Sequence, residues 1–108
     1  MVTIGYGSFY NCDSLASVNL EKCLLLTTIG TTAFCSCDNL MSIVIPVNVT
    51  TMNTQAFDYC YKLYTVYDLS TKLNITKGSS GNGYVGKNAK EVLYSLDEPS
   101  AMIDIDGI

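Results

Sequence analysis

Ala33-Phe34-Cys35-Ser36-Cys37-Asp38-Asn39-Leu40, followed by Ile43 and Ile45, decides how this chain is read. Phe34, Cys37, Leu40 and Ile43 are evenly spaced, and the same spacing occurs twice more. Phe9, Cys12, Leu15 and Val18 lie 25 residues earlier, and Phe57, Cys60, Leu63 and Val66 lie 23 residues later. Three occurrences of F-x-x-C-x-x-L-x-x-(V/I) form an internal repeat. A period in the twenties marks a solenoid, in which neighbouring coils bury a core against one another.

Each unit divides into the same parts. Ser17-Val18-Asn19-Leu20 and Ser42-Ile43-Val44-Ile45 alternate with the period of a half-buried strand, and Pro46 ends the second of them. Thr27-Thr28-Ile29 reads as a second, shorter extended segment. Thr32 to Cys37 is long enough for one turn of α or 3₁₀ helix and too short for an independent helix. In the third unit Met52 stands where Ile29 does, ahead of Ala56-Phe57. The coils are thereby placed at 2–20, 27–45 and 50–67, within a repeat region 1–68. The register sets Val2-Thr3-Ile4-Gly5 against Thr27-Thr28-Ile29-Gly30, so the first coil is truncated and the chain is expected to be a piece of a longer array. The surplus between the two repeat lengths falls at Glu21-Lys22-Cys23-Leu24, a loop insertion.

Beyond the third coil the pattern loosens. The position equivalent to Ile45 is Asp68, with apolar Leu69 one step late, which predicts a bulge where the array ends. Residues 69–101 read as a small C-terminal cap. Within it, Leu73-Asn74-Ile75 is a short strand and Lys77 to Gly86 a flexible glycine-rich loop. Asn88 to Leu96 is a short helix that places Ala89, Val92, Leu93 and Leu96 on one face and ends before Pro99. Residues 102–108 alternate like the start of a truncated following segment.

Bulk properties exclude several function classes. A chain of 108 residues makes one domain, and 48% hydrophobic content suffices for a core. The net charge is −4 with no basic run, which argues against nucleic acid as a partner. No stretch reaches the roughly 18 apolar residues of a membrane span, and Met1-Val2-Thr3-Ile4 does not open a signal peptide.

The unit Ile29-Gly30, Ala33-Phe34, Cys37, Leu40, Ile43, Ile45-Pro46 resembles the BspA-like leucine-rich repeat family. The resemblance covers residues 2–67 through the repeats and extends more loosely over 69–100. It implies a right-handed leucine-rich-repeat solenoid, mostly β, of about three coils. Each coil would carry a sheet strand, a short extended segment and a short helical turn. It also implies a cell-surface or secreted protein with adhesion as its usual role, and protein or glycan ligands that include host extracellular matrix.

The chemistry-bearing residues give no catalytic, cofactor or metal set. Cys12, Cys37 and Cys60 share one repeat position and should stack as a buried column of small hydrophobes. Cys23 and Cys35 lie off that column and read as the exposed thiols. The chain has no histidine and no C-x-x-C pair, and Cys35-Ser36-Cys37 is too tight for zinc. The usual nucleophile triad therefore cannot be assembled. Acids such as Glu21 and Asp68 are scattered, so a hydrolase reading has no selected carboxylate pair. Gly78-Ser79-Ser80-Gly81-Asn82-Gly83 lacks the phosphate-loop order. Asp104-Ile105-Asp106-Gly107 is half a calcium loop. Asn48-Val49-Thr50 and Asn74-Ile75-Thr76 are glycosylation sequons.

The functional candidate is a surface. Outward strand positions should align across coils, with Ser17, Ser42 and Thr65 in one column and Asn19, Val44 and Tyr67 in the next. Solenoids bind partners through such faces, and Tyr is favoured at interfaces. The plain alternative is a solvated sheet face on a structural spacer that displays a neighbouring domain. The first coil's bare edge is expected to pair with a second copy of the chain.

Overall fold

Every strand pairs with the strand one repeat away, and through the first three coils the register is the one that the F-x-x-C spacing implies except at Val2, which pairs with Leu26 rather than Thr27. The computed structural model describes residues 2–97. In chain order the strands are β1 (Val2–Ile4), β2 (Ser17–Asn19), β3 (Leu26–Ile29), β4 (Ser42–Ile45), β5 (Thr51–Met52), β6 (Thr65–Asp68) and β7 (Glu91–Leu93). They form two parallel sheets, ordered β1-β3-β5 and β2-β4-β6-β7. Each coil gives one strand to each of the two sheets as far as β6, and β7 adds a fourth coil to the second sheet.

The core lies between the sheets and is a stack of like residues. Ile29, Phe34, Cys37, Leu40, Ile43 and Ile45 are fully buried, as are the third-coil residues Phe57, Cys60, Leu63 and Val66. The rings of Phe9, Phe34 and Phe57 form a continuous stack, with centroids 5.0 Å apart at both steps and planes within 6° of parallel. Stacked aromatics contribute about 0.5–1.5 kcal/mol per pair beyond the area they bury. The first coil is less covered: Phe9 is 42% exposed, and Cys12, Leu15, Val18 and Leu20 are only partly buried.

The short helical turn expected in each coil is not formed between Thr32 and Cys37. Successive amides there serve two different ladders. Ala33 N–H and Cys35 N–H donate back to Gly30 and Thr32 within the turn, whereas Phe34 N–H and Ser36 N–H donate to Ala56 and Asp58 in the next coil. With alternate amides committed to the neighbouring coil, no helical ladder can close. The turn closes instead through positive φ at Thr32 (53°) and Ser36 (62°). A 3₁₀ turn at Asn82–Tyr84 is the one helical segment among the described residues, and all three of its residues have positive φ.

Four expectations for the region after the third coil are corrected, the first being the strand at Leu73-Asn74-Ile75, which does not form although Leu73 and Ile75 are buried. No bulge occurs at Asp68: β6 stays in register with β4, and Asp68 pairs with Ile45. The carboxylate occupies a core position because the Ser70 backbone N–H (3.0 Å) and hydroxyl both donate to Oδ1. The helix expected over 88–96 is also absent. Glu91–Leu93 is strand β7, which sets Val92 beside Val66 on the edge of β6. An amphipathic segment this short does not nucleate a helix on its own, whereas β6 offers it an unpaired ladder.

Nor is 77–86 a flexible loop. It forms the turn of the fourth coil, and Gly83 takes the place of Ala33 and Ala56. Phe57 N–H donates to its carbonyl at 2.7 Å, as Phe9 does to Ala33 and Phe34 to Ala56. Expectations for Pro99 and for residues 102–108, with the half calcium loop at Asp104-Ile105-Asp106-Gly107, lie outside the described residues.

Candidate interaction face

The six residues chosen from sequence do align in two columns. Ser17 pairs with Ser42 and Ser42 with Thr65, while Asn19 pairs with Val44 and Val44 with Tyr67. The alternation that turns Val18, Ile43 and Val66 into the core turns these six to the opposite face.

The columns are not equally open. Ser17 and Asn19, on the edge strand β2, are exposed, and Ser42 and Tyr67 are half-buried. Val44 is 7% exposed and Thr65 only 2%. Thr65 is covered because the fourth coil adds a residue to each column: Glu91 pairs with Thr65, and Leu93 with Tyr67. Thr65 Oγ1 donates to Glu91 Oε2 at 2.8 Å, so its hydroxyl is engaged. Lys90 Nζ lies 5.1 Å from the centre of the Tyr64 ring, a cation–π contact beside this step. Glu91 and Leu93 were missed in the sequence because their coil lacks the F-x-x-C signature. The step from Val66 to Val92 was the available signal.

The thiols are distributed differently from expectation. Cys37 and Cys60 are buried and Cys12 is partly so, while Cys23 is exposed. Cys35 is buried, not exposed, because in the middle coil it lies between the equivalent turn residues Tyr10 and Asp58. Burial pushes the Cys60 thiol up to about 12 and raises that of Cys37, so neither is a thiolate nucleophile near neutral pH. Desolvation likewise raises the Asp68 carboxyl, against the lowering effect of its two bonds from Ser70. Among the described residues, no group of three His, Cys, Asp or Glu side chains could hold a metal ion, and no helix is long and apolar enough to cross a membrane.

Two parallel sheets joined by short turns, with Phe, Cys and Leu each stacked at one core position in successive coils, define a leucine-rich-repeat type of solenoid. The family model of the BspA type leucine rich repeat region (6 copies) matches residues 1–80, and the chain belongs to this family. Repeats of this type are typically non-enzymatic interaction modules and are often found in surface proteins. No curated protein and no solved structure matches the chain.

Proposed function

We propose that this chain is a non-enzymatic interaction or adhesion module of a larger cell-surface or secreted protein. It binds a protein or glycan partner through the outward face of the four-stranded sheet. The observation that carries this reading is the in-register column Asn19–Val44–Tyr67, extended by Leu93 on β7. A rigid parallel ladder presents such side chains without a backbone ordering cost at the moment of binding. The accessible part of the face is Ser17, Asn19, Ser42 and Tyr67, and these are the contacts the reading assigns.

Binding of the purified chain to immobilised extracellular-matrix proteins and glycans, beside the Tyr67→Ala/Asn19→Ala double variant, tests it. Saturable binding lost in the variant is expected. No binding by the folded chain would favour a spacer that displays a neighbouring domain.

The edge formed by β1 and β2 is assigned to self-association. An apolar cleft of about 450 Å³ opens there, lined by Ile4, Phe9, Leu20, Leu24 and Leu26 among others. Unpaired strand edges beside apolar surface favour pairing with a second copy. Sedimentation over a wide concentration range should show a dimer, and a monomer throughout would rule this out.

A further inference from the structure

The third coil departs from its repeat at two turn positions. On either side of the column cysteine the first coil carries Asn11 and Asp13, and the second carries Ser36 and Asp38. The third carries Tyr59 and Tyr61. The first of these positions has positive φ in all three of these coils: 61° at Asn11, 62° at Ser36 and 61° at Tyr59. Asn tolerates the left-handed region, whereas a bulky aromatic there is an outlier. The fourth coil supplies another such outlier, Tyr84 at 69°.

These tyrosines converge. The Tyr59 and Tyr61 rings lie 6.0 Å apart, tilted by 60°. Together with Tyr84, Lys87 and Asn88 they line a cleft of about 130 Å³ with Asp58 in its wall. Tyr59 and Tyr61 are 49% and 60% exposed, so the repeat has replaced small turn formers with aromatic surface held in water.

The polar groups of the cleft are held in place. Asp58 Oδ1 accepts the Tyr59 backbone N–H and Oδ2 accepts Gln55 Nε2, both at 2.9 Å. Asn88 Nδ2 donates to the Cys60 carbonyl at 3.2 Å, which orients its amide. One carboxylate and one ammonium leave the cleft nearly neutral, so it selects against a strongly charged ligand. A wholly apolar ligand would desolvate the Lys87 ammonium without pairing it. A pyranose ring meets both conditions. Its C–H face packs on an aromatic ring, and its hydroxyls donate to a carboxylate or accept from an amide or ammonium.

We infer that the cleft between Tyr59, Tyr61 and Tyr84 is a carbohydrate subsite that seats one neutral pyranose ring of an oligosaccharide. It lies on the turn edge of the solenoid and is independent of the sheet face. Strained aromatic backbone at a ligand clamp is the pattern expected where geometry is held for binding.

Saturation-transfer NMR of the full chain with cellohexaose, chitohexaose and maltohexaose tests this. At least one should bind saturably, and the Tyr59→Asn/Tyr61→Asp variant should weaken it by about tenfold or more. That variant rebuilds the Asn11 and Asp13 arrangement of the first coil and should keep the fold, as circular dichroism can check. Tyr61→Ala, at the more exposed of the two rings, gives a second measure that does not alter the left-handed position. Unaltered binding by both tyrosine variants overturns the assignment, as does the absence of transfer to all three oligosaccharides at about 10 mM.

Discussion

Cys60 Sγ donates a hydrogen bond to the carbonyl oxygen of Phe34, 3.1 Å away and 26 residues earlier in the chain. Cys37 bonds the Phe9 carbonyl in the same way, at 3.2 Å. The Ala33 and Cys35 carbonyls accept amides from the first coil, and the carbonyl between them, that of Phe34, accepts the thiol. The cysteine column therefore satisfies buried backbone as well as filling space. Replacing Cys60 by Ala removes the donor, strands a buried acceptor and should cost about 1–3 kcal/mol. Cys60→Ser keeps a donor and should cost less. Urea unfolding of the two variants compares them directly, and equal costs would show that the thiol bond contributes nothing.

The phenylalanine stack predicts a graded response along the solenoid. Phe34 is 1% exposed and has a ring on either side. Phe34→Ala should cost about 3–5 kcal/mol, the usual range for a buried aromatic. Phe9 is 42% exposed and stacks on one side, so Phe9→Ala should cost clearly less. The same urea titration measures both. Similar losses at the two positions would mean that neither burial nor the number of stacked neighbours sets the energy.

What was legible in the sequence is what repeats. The spacing of Phe9, Phe34 and Phe57 fixed the coil register, and the column Ser17–Ser42–Thr65 followed from it to the residue. What failed are the places where identity is lost while geometry persists. Gly83 does the work of Ala33 and Ala56, and Val92 that of Val66, without any phenylalanine or column cysteine to mark their coil. Asp68 broke the apolar pattern without breaking the register, because Ser70 supplies its partners. The turn residues misled in another way. Local spacing gives no hint that alternate amides between Thr32 and Cys37 belong to the next coil. The candidate face was located but not its openness, since the cover on Thr65 comes from a strand that had been read as helix.

Gly83 tests the fourth coil. It adopts φ +64°, and a Cβ built there would come within 2.7 Å of the Asn53 carbonyl oxygen and 2.8 Å of Ala56 Cβ. Gly83→Ala therefore meets both a disfavoured dihedral and a clash with a neighbouring coil. Gly78, at φ +79° with nothing within 4 Å, would meet the dihedral penalty alone. Gly78→Ala should cost about 1–2 kcal/mol and Gly83→Ala clearly more. If the two variants unfold at the same denaturant concentration, residues 77–86 are not packed against the third coil.

Asp68 makes the fold pH-sensitive in an unusual direction. Most carboxylates held by partners stabilise a protein above their unfolded pKa. Here desolvation outweighs the two bonds from Ser70, and the folded chain holds the Asp68 proton more tightly than the unfolded chain does. The contribution is fully present below the ordinary value of 3.8 and is lost as pH rises through the raised folded value. Asp68→Asn keeps an acceptor for Ser70 and never carries the charge. The variant should match or exceed the parent at about pH 7, and its advantage should shrink as the pH falls toward the ordinary carboxylate range. Urea midpoints of both proteins across that range decide the matter. A parent that gains on the variant as pH rises would mean that the bonds from Ser70 outweigh burial, and that Asp68 stabilises the fold as an anion.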